Sequence, residues 1–311
     1  MHEEDTTAER SSAVERGVAV ERGSLYVVAT PIGNLADISP RALDVLKSVQ
    51  LVLAEDTRHS KRLLQYFGIE VPMLSFHKFN EKSRTEQVVG RIRSEGISVA
   101  IVTDAGTPCI SDPGVEIVRE AREAGIPVFG VSGPSAIATA VSVSGLPSRE
   151  FVFLGFLPRT PGELRESLRK VRERRMSTFV VYESPKRIKN LAAALLKELP
   201  GATVCFCCEL TKMHERSYYG TIAEVAAKLE SDPNAERGEY TVVVSVPLNQ
   251  EPAAGVKGSS GEPSLEARLV QAMVEHGCTI KEATAIVAEE TQRPRNEIYQ
   301  AGLRLKSLFR S

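Results

Sequence analysis

The sequence predicts an α/β protein of two lobes, followed by a small appendage of three helices with a helix-turn-helix-like layout. Three observations point to it. From about residue 24 to 246, short apolar runs of strand length alternate with helical patterns, as in sheets covered by helices. Four helix starts share one punctuation, a capping side chain followed by proline: Ser39-Pro40, Asp112-Pro113, Thr160-Pro161 and Ser184-Pro185. Proline fits the first helical position because its missing N–H has no partner there. Past a stretch rich in Pro, Gly, Ser and Ala, three short helical periodicities fill residues 265–311.

Residues 1–22 mix Glu, Asp, Arg, Ser and Thr without an apolar segment, which predicts a disordered leader and not a secretory signal. The N-terminal lobe is expected over residues 23–147, with strands at Leu25–Ala29, Leu51–Ala54, Ser98–Thr103 and Val128–Val131. The alternation breaks at Gly145–Ser148, so a second lobe is expected over residues 148–247. Its strands are Phe151–Phe156, Thr178–Tyr182, Thr203–Cys208 and Tyr240–Val246, and Thr160 with Glu163 has capping-box spacing. Residues 248–264 read as a linker. The appendage, 265–311, carries helices at Leu265–His276, Lys281–Thr291 and Pro294–Phe309, separated by Gly277 and the Thr291-Gln292-Arg293-Pro294 turn.

Composition narrows the function. With 42% hydrophobic and 25% charged residues the chain is an ordinary globular one. A net charge of −1 means that any nucleic acid must be met by local basic clusters, not bulk charge. The five cysteines lack zinc-like spacing and an even disulfide framework, so reduced thiols and no metal are expected. No apolar run approaches the ~20 residues of a membrane helix. A cytoplasmic location and no membrane partner are the resulting expectations. Neither a Gly-x-Gly-x-x-Gly turn after a strand, nor a phosphate-binding Gly-x4-Gly-Lys-Ser/Thr loop, nor a Gly-x-Ser-x-Gly elbow is present, against dinucleotide enzymes, P-loop NTPases and α/β-hydrolases.

Chemistry concentrates at strand ends. The run Ile97–Val102 leads into Thr103-Asp104-Ala105-Gly106-Thr107-Pro108, then Ile110-Ser111-Asp112-Pro113-Gly114, with a helix expected from Asp112. Such a small-residue loop at the carboxyl end of a sheet lets main-chain groups approach a ligand closely. Three further clusters close strands at the same sheet end: Ala29-Thr30-Pro31-Ile32-Gly33-Asn34, Ala54-Glu55-Asp56-Thr57-Arg58 and Ser132-Gly133-Pro134-Ser135-Ala136. Each alone also reads as a turn, a cap or a close packing of helix on sheet. Further along come Ser75-Phe76-His77 with Asn80, Tyr182-Glu183-Ser184-Pro185, Glu209-Leu210-Thr211-Lys212 with His214-Glu215, and Gly238-Glu239-Tyr240-Thr241.

In this order, over residues 24–246, the motifs resemble the tetrapyrrole methylase superfamily and, within it, the branch that methylates ribosomal RNA; the three-helix tail fits that branch. Ser132 and Lys186 depart from its usual proline and histidine. The resemblance implies a cleft between two α/β lobes that holds S-adenosylmethionine in a folded conformation. Matched by motif, main-chain groups of Asp104, Ala105, Gly106 and Thr107, with Ile110 and Ser111, would hold it. Pro31 would line one wall and Ser135 and Ala136 another, with Tyr182, Leu210, Tyr240 and Thr241 closing the site from the second lobe. The implied reaction is transfer to a cytidine 2′-hydroxyl in the decoding region of 16S rRNA within the small ribosomal subunit, by a homodimer.

A ribose hydroxyl must lose its proton to attack a methyl carbon, so a base or an alkoxide-stabilising cation is required. Candidates near strand ends are Glu55, Asp56, His77, Glu183, Lys212, His214 and Glu215. Asp56 is the favoured base or base-orienter, Glu55 its neighbour, and Lys212 the stabilising charge. For RNA, the expected contacts are Arg58, Arg62, Arg159 and Arg187, with Arg293 and Arg295 in the tail. Two other readings stay open on the sequence: a tetrapyrrole or precorrin methyltransferase, and a non-catalytic ribosome-assembly factor.

Overall fold

The computed structural model describes residues 20–247, 265–291 and 293–308. Residues 1–19 of the leader expected over 1–22, and the linker over 248–264, lie outside the described residues. The chain divides into two compact units, Met1–Asn249 and Gln250–Ser311.

The first unit contains two five-stranded sheets. In order along the chain, the first holds β1 (Leu25–Val28), α1 (Pro40–Ser48), β2 (Leu51–Ala54), α2 (Thr57–Tyr66), β3 (Met73–Ser75), α3 (Glu81–Glu95), β4 (Val99–Val102), α4 (Val115–Glu123), β5 (Val128–Val131) and α5 (Ala136–Val143). Its strand order is β3-β2-β4-β1-β5 and every pair is parallel. β2 and β4 are buried at all four positions, which is why they read as unbroken apolar runs: helices cover both faces of such a sheet. α1 buries Ala42, Val45 and Leu46, an i, i+3, i+4 stripe.

The second sheet holds β6 (Val152–Phe156), α6 (Pro161–Glu173), β7 (Thr178–Glu183), α7 (Ile188–Glu198), β8 (Thr203–Cys208), β9 (Arg216–Thr221), α8 (Ile222–Ser231) and β10 (Tyr240–Ser245). Its order is β6-β7-β10-β8-β9, with β6 parallel to β7 and the other pairs antiparallel. The sequence reading missed β3 and β9. Both are edge strands, one only three residues long and the other polar on its exposed face, so neither shows a strong apolar run.

The caps sort the proline-led helix starts. Ser39 and Thr160 accept N–H bonds from Ala42 and Glu163, as the spacing predicts. Asp112 does not cap: α4 begins at Val115, after Gly114. Ser184 precedes a short 3-10 turn, Pro185–Arg187, and α7 starts only at Ile188.

The second unit is three helices, α9 (Leu265–His276), α10 (Ile280–Thr291) and α11 (Arg295–Leu308). Leu269, Ala272, Ala283, Val287, Ile298 and Ala301 form their common core. Gly302 permits the close approach, since a Cβ there would lie 2.8 Å from Ile280 Cγ2.

Candidate active site

Loops of both sheets enclose a cavity of about 490 Å³. At its floor the loops leaving β1 and β4 are pinned together. Thr30 N–H donates to Gly106 C=O at 2.9 Å, Gly106 N–H returns the bond to Thr30 C=O at 3.1 Å, and Thr30 Oγ1 donates to Thr103 C=O at 3.1 Å. Gly106 lines the cavity at φ +84°, yet its main-chain groups are taken up by Thr30 instead of facing a ligand as the loop suggested. Beyond it the chain is strained. Cys109 and Ser111 sit at φ 68° and 65°, left-handed conformations that cost side-chain-bearing residues about 1–3 kcal/mol each. Gly114 N–H donates to the Glu81 carboxylate at 2.8 Å, tying this loop to the start of α3.

Of the residues expected to hold the donor, Asp104, Ala105, Gly106, Thr107, Ile110, Ser111, Ser135, Ala136, Tyr182, Leu210, Tyr240 and Thr241 all line the cavity. Pro31 is buried and is not among the lining residues; its neighbour Ile32 takes the wall position. Ser135 caps α5, aiming the free N–H groups of that helix start at the cavity rim. Across the gap, strand register sets Thr241 beside Tyr182 and Tyr240 beside Glu183. The Tyr182 ring packs edge-on against Phe153 at 4.9 Å. Burial, with the Asp112 charge adding, pushes its phenol up to about 12.

The adjacent acids Glu55 and Asp56 part company. Glu55 lines the cavity, where its carboxylate accepts from Thr103 Oγ1 at 3.1 Å. Asp56 does not line it. Its carboxylate caps α2 through Arg58 N–H at 2.8 Å and pairs with the Arg58 guanidinium at 2.7 Å, which holds it far below the usual carboxylate range. Asp112, read from sequence as a helix cap, instead faces the cavity. Burial, then the charges of Glu55 and Asp104, push it up to about 6 against a restraining bond from Thr103. Glu183, its side chain only 1% exposed, accepts from Ser184 N–H at 2.8 Å, while its other oxygen lies 3.4 Å from Arg187 without a hydrogen bond.

Lys212 Nζ donates to Glu209 and to Glu239, both at 2.8 Å. Burial works to lower its pKa, but the two carboxylates outweigh it and hold the ammonium above its ordinary value. The free charge expected at Lys212 is therefore already paired. Its stem lies over Gly33, where a Cβ would come within 2.3 Å of Lys212 Cγ. His214 is exposed, and the Glu215 carboxylate accepts from Thr211 N–H at 2.6 Å, closing the Thr211 turn at φ 65°.

The basic candidates are scattered. Arg62 and Arg159 are exposed, as is Arg58 beside Asp56. Arg187 is a strut and not a surface contact: its guanidinium donates to Pro158 C=O at 2.7 Å and adjoins buried Glu183. In the second unit Arg293 and Arg295 are exposed at the start of α11, Arg293 lying 3.0 Å from Glu297.

Residues 24–226 match the tetrapyrrole (corrin/porphyrin) methylases, and residues 261–306 match the RsmI C-terminal HTH domain. A ribosomal RNA small subunit methyltransferase I of Pseudomonas aeruginosa is 42% identical over 284 residues, covering 90% of this chain and 97% of that protein. The protein of the same name from Xylella fastidiosa strain Temecula1 is 40% identical, with 89% and 98% covered, and that of Escherichia coli O157:H7 is 38% identical, with 90% and 95%. Among solved structures, the cobalamin biosynthetic enzyme cobalt precorrin-4 methyltransferase aligns with a TM-score of 0.54 at 18% identity, over 73% of this chain and 98% of that one, a likeness of fold.

Proposed function

The chain belongs to the tetrapyrrole methylase family, in the group of ribosomal RNA small subunit methyltransferase I, and is an S-adenosylmethionine-dependent rRNA methyltransferase; we propose that its acceptor is a cytidine 2′-hydroxyl in the decoding region of 16S rRNA. The acceptor class follows the relatives named for ribosomal RNA, and the observation that supports the donor site beside it is the charge of the cavity. Among its described lining residues are six carboxylates and one lysine, and two of the six, Glu209 and Glu239, are already bonded to that lysine. Glu55, Asp104 and Asp112 remain, with Glu183 adjoining Arg187, beside apolar Ile32, Ile110 and Leu210. That lining suits a donor with sulfonium and ammonium charges on a partly apolar frame, and the volume lies within the roughly 300–1,000 Å³ of small-ligand sites.

When bound, S-adenosylmethionine supplies an already activated methyl group, which leaves the protein to position and deprotonate the acceptor. Asp112, half-buried at the carboxyl end of the first sheet, takes the hydroxyl proton. Its pKa of about 6 leaves it ionised at neutral pH yet basic enough to hold a proton. Glu55, oriented by Thr103, keeps Asp112 in that range. Asp56 has the wrong direction and too low a basicity, and its role is to anchor α2. Lys212 is a positioning residue that draws the loops at Glu209 and Glu239 together. Lys212→Met leaves those two carboxylates facing each other without a counter-charge. It should lower kcat/KM on small ribosomal subunits by about tenfold to a hundredfold, equivalent to roughly 1.4–2.8 kcal/mol, and Lys212→Arg should restore most of it.

The proposal further includes a homodimer acting in the cytoplasm, with RNA gripped by Arg62, Arg159 and the start of α11. The test is transfer from labelled S-adenosylmethionine to small ribosomal subunits isolated from cells lacking the protein, with nuclease mapping by mass spectrometry and uroporphyrinogen III as a parallel acceptor. Label on the ribose of one decoding-region cytidine is expected. Label on a base, or on the tetrapyrrole alone, would overturn the assignment.

A further inference from the structure

Phe79 is 95% exposed, an aromatic ring standing in solvent on the loop between β3 and α3. Its loop is built to hold it there. His77 N–H donates to Asn80 Oδ1 at 2.8 Å, Asn80 Nδ2 donates to Ser75 C=O at 3.1 Å, and Phe79 N–H donates to His77 Nδ1 at 3.3 Å, with the two rings edge-on at 6.1 Å. The loop is also tied to the site. β2 and β3 run parallel with Ala54 beside Ser75, and Phe76 N–H donates to Ala54 C=O at 2.8 Å, so this loop and the one bearing Glu55 leave the sheet side by side. On its other flank Glu81 accepts from Gly114 N–H, two residues past Asp112. Lys78, next to Phe79 in the chain, is exposed, as are Lys82 in the first turn of α3 and Arg62 and the Asp56-paired Arg58 on α2.

An exposed aromatic ring that buries no apolar surface adds nothing to folding, and a fixed backbone around it is the opposite of a mobile loop tip. A ring flanked by cations is the usual platform for a single-stranded nucleobase: the π-face stacks on the base while the charges take the phosphates. Resting on the rRNA acceptor proposed above, we infer that Phe79 stacks a nucleobase of the substrate strand at the methylated position or directly beside it, steering the ribose toward Asp112. The occupant is RNA and not protein, because the exposed charges on this loop and at the starts of α2 and α3 are cationic and suit a phosphate backbone.

The chain contains no tryptophan, so Phe79→Trp makes a single-tryptophan protein whose emission reports stacking. Adding small ribosomal subunits from cells lacking the protein should quench that emission, while the Tyr219→Trp variant, with its indole on an exposed position of the second sheet, should not respond. Phe79→Ala should raise KM for the subunits by about fivefold to a hundredfold, with S-adenosylmethionine affinity by calorimetry and the melting temperature unchanged. Phe79→Trp should stay near the parent, and Phe79→Leu should fall with the alanine variant. Unmoved emission from the Phe79→Trp variant during active methylation would overturn the inference, and so would a leucine variant as good as the parent, which would mark an apolar contact with a ribosomal protein. If the parent chain transfers nothing to subunits, the acceptor assignment fails first and takes this inference with it.

Discussion

Asp112→Asn is expected to slow single-turnover methyl transfer by about a hundredfold to ten-thousandfold, the usual contribution of a positioned general base, while making the protein more stable above pH 6. Both effects come from one arrangement. Burial and the Glu55 and Asp104 charges raise the Asp112 pKa from 3.8 to about 6. A carboxyl whose pKa is raised on folding binds its proton more tightly in the native state than in the unfolded chain. The native state is therefore favoured below about pH 4, and that advantage is lost as pH rises through 6. Asparagine removes the ionisation and so restores stability at pH 7–8, by about 1 kcal/mol once the half-exposed position is discounted for solvent screening. At pH 4 parent and variant should melt alike. The parent's rate should rise with pH to an inflection near 6 and then level, and the variant should lack that inflection. A variant that turns over within threefold of the parent, with the same pH profile, would remove Asp112 from the reaction. Asp56→Asn supplies the contrast: a loss of stability from the α2 cap and the Arg58 pair, with transfer nearly unchanged.

The two assignments exchange roles for reasons a linear motif hides. Glu55 and Asp56 are adjacent in extended chain, and successive side chains there point to opposite sides. Only one can face the cavity, and composition does not say which. Asp112-Pro113 has the residue types of a helix cap, but Gly114 follows at φ +128°, a conformation that delays the helix to Val115 and leaves the aspartate facing the site. Patterns that depend on burial alone were easier to read. β2, β8 and the first tail helix have the bounds their apolar runs suggest, because both faces of a central strand, or one stripe of a helix, must be apolar. Edge strands β3 and β9 lack that requirement. Gly106 illustrates a third limit. Its presence in the loop was legible, and the demand it meets was not, since the bond partner, Thr30, lies in the loop after β1, remote in sequence.

Gly114→Ala should be the most damaging single methyl in the first sheet. A Cβ there would lie 2.7 Å from both Cys109 Sγ and Ile101 Cδ1, at a backbone angle that alanine rarely adopts. Ile101 is 2% exposed in the core beneath α4 and has nowhere to retreat. Backbone strain of about 1–3 kcal/mol and overpacking of about 1–3 kcal/mol together predict a loss on the order of 3 kcal/mol in denaturant unfolding. The damage should extend to function. Relief of the clash moves the Cys109–Asp112 loop and breaks the Gly114–Glu81 bond, so S-adenosylmethionine affinity should fall with stability, unlike in Asp112→Asn. Cys109→Ala in the same chain removes one of the two colliding atoms and leaves the strain and the Ile101 contact. The double variant should therefore recover part of the stability and not all. Full recovery would mean that the backbone angle costs nothing, and no recovery would mean that Cys109 already has room to move; either result contradicts the packing described for this loop.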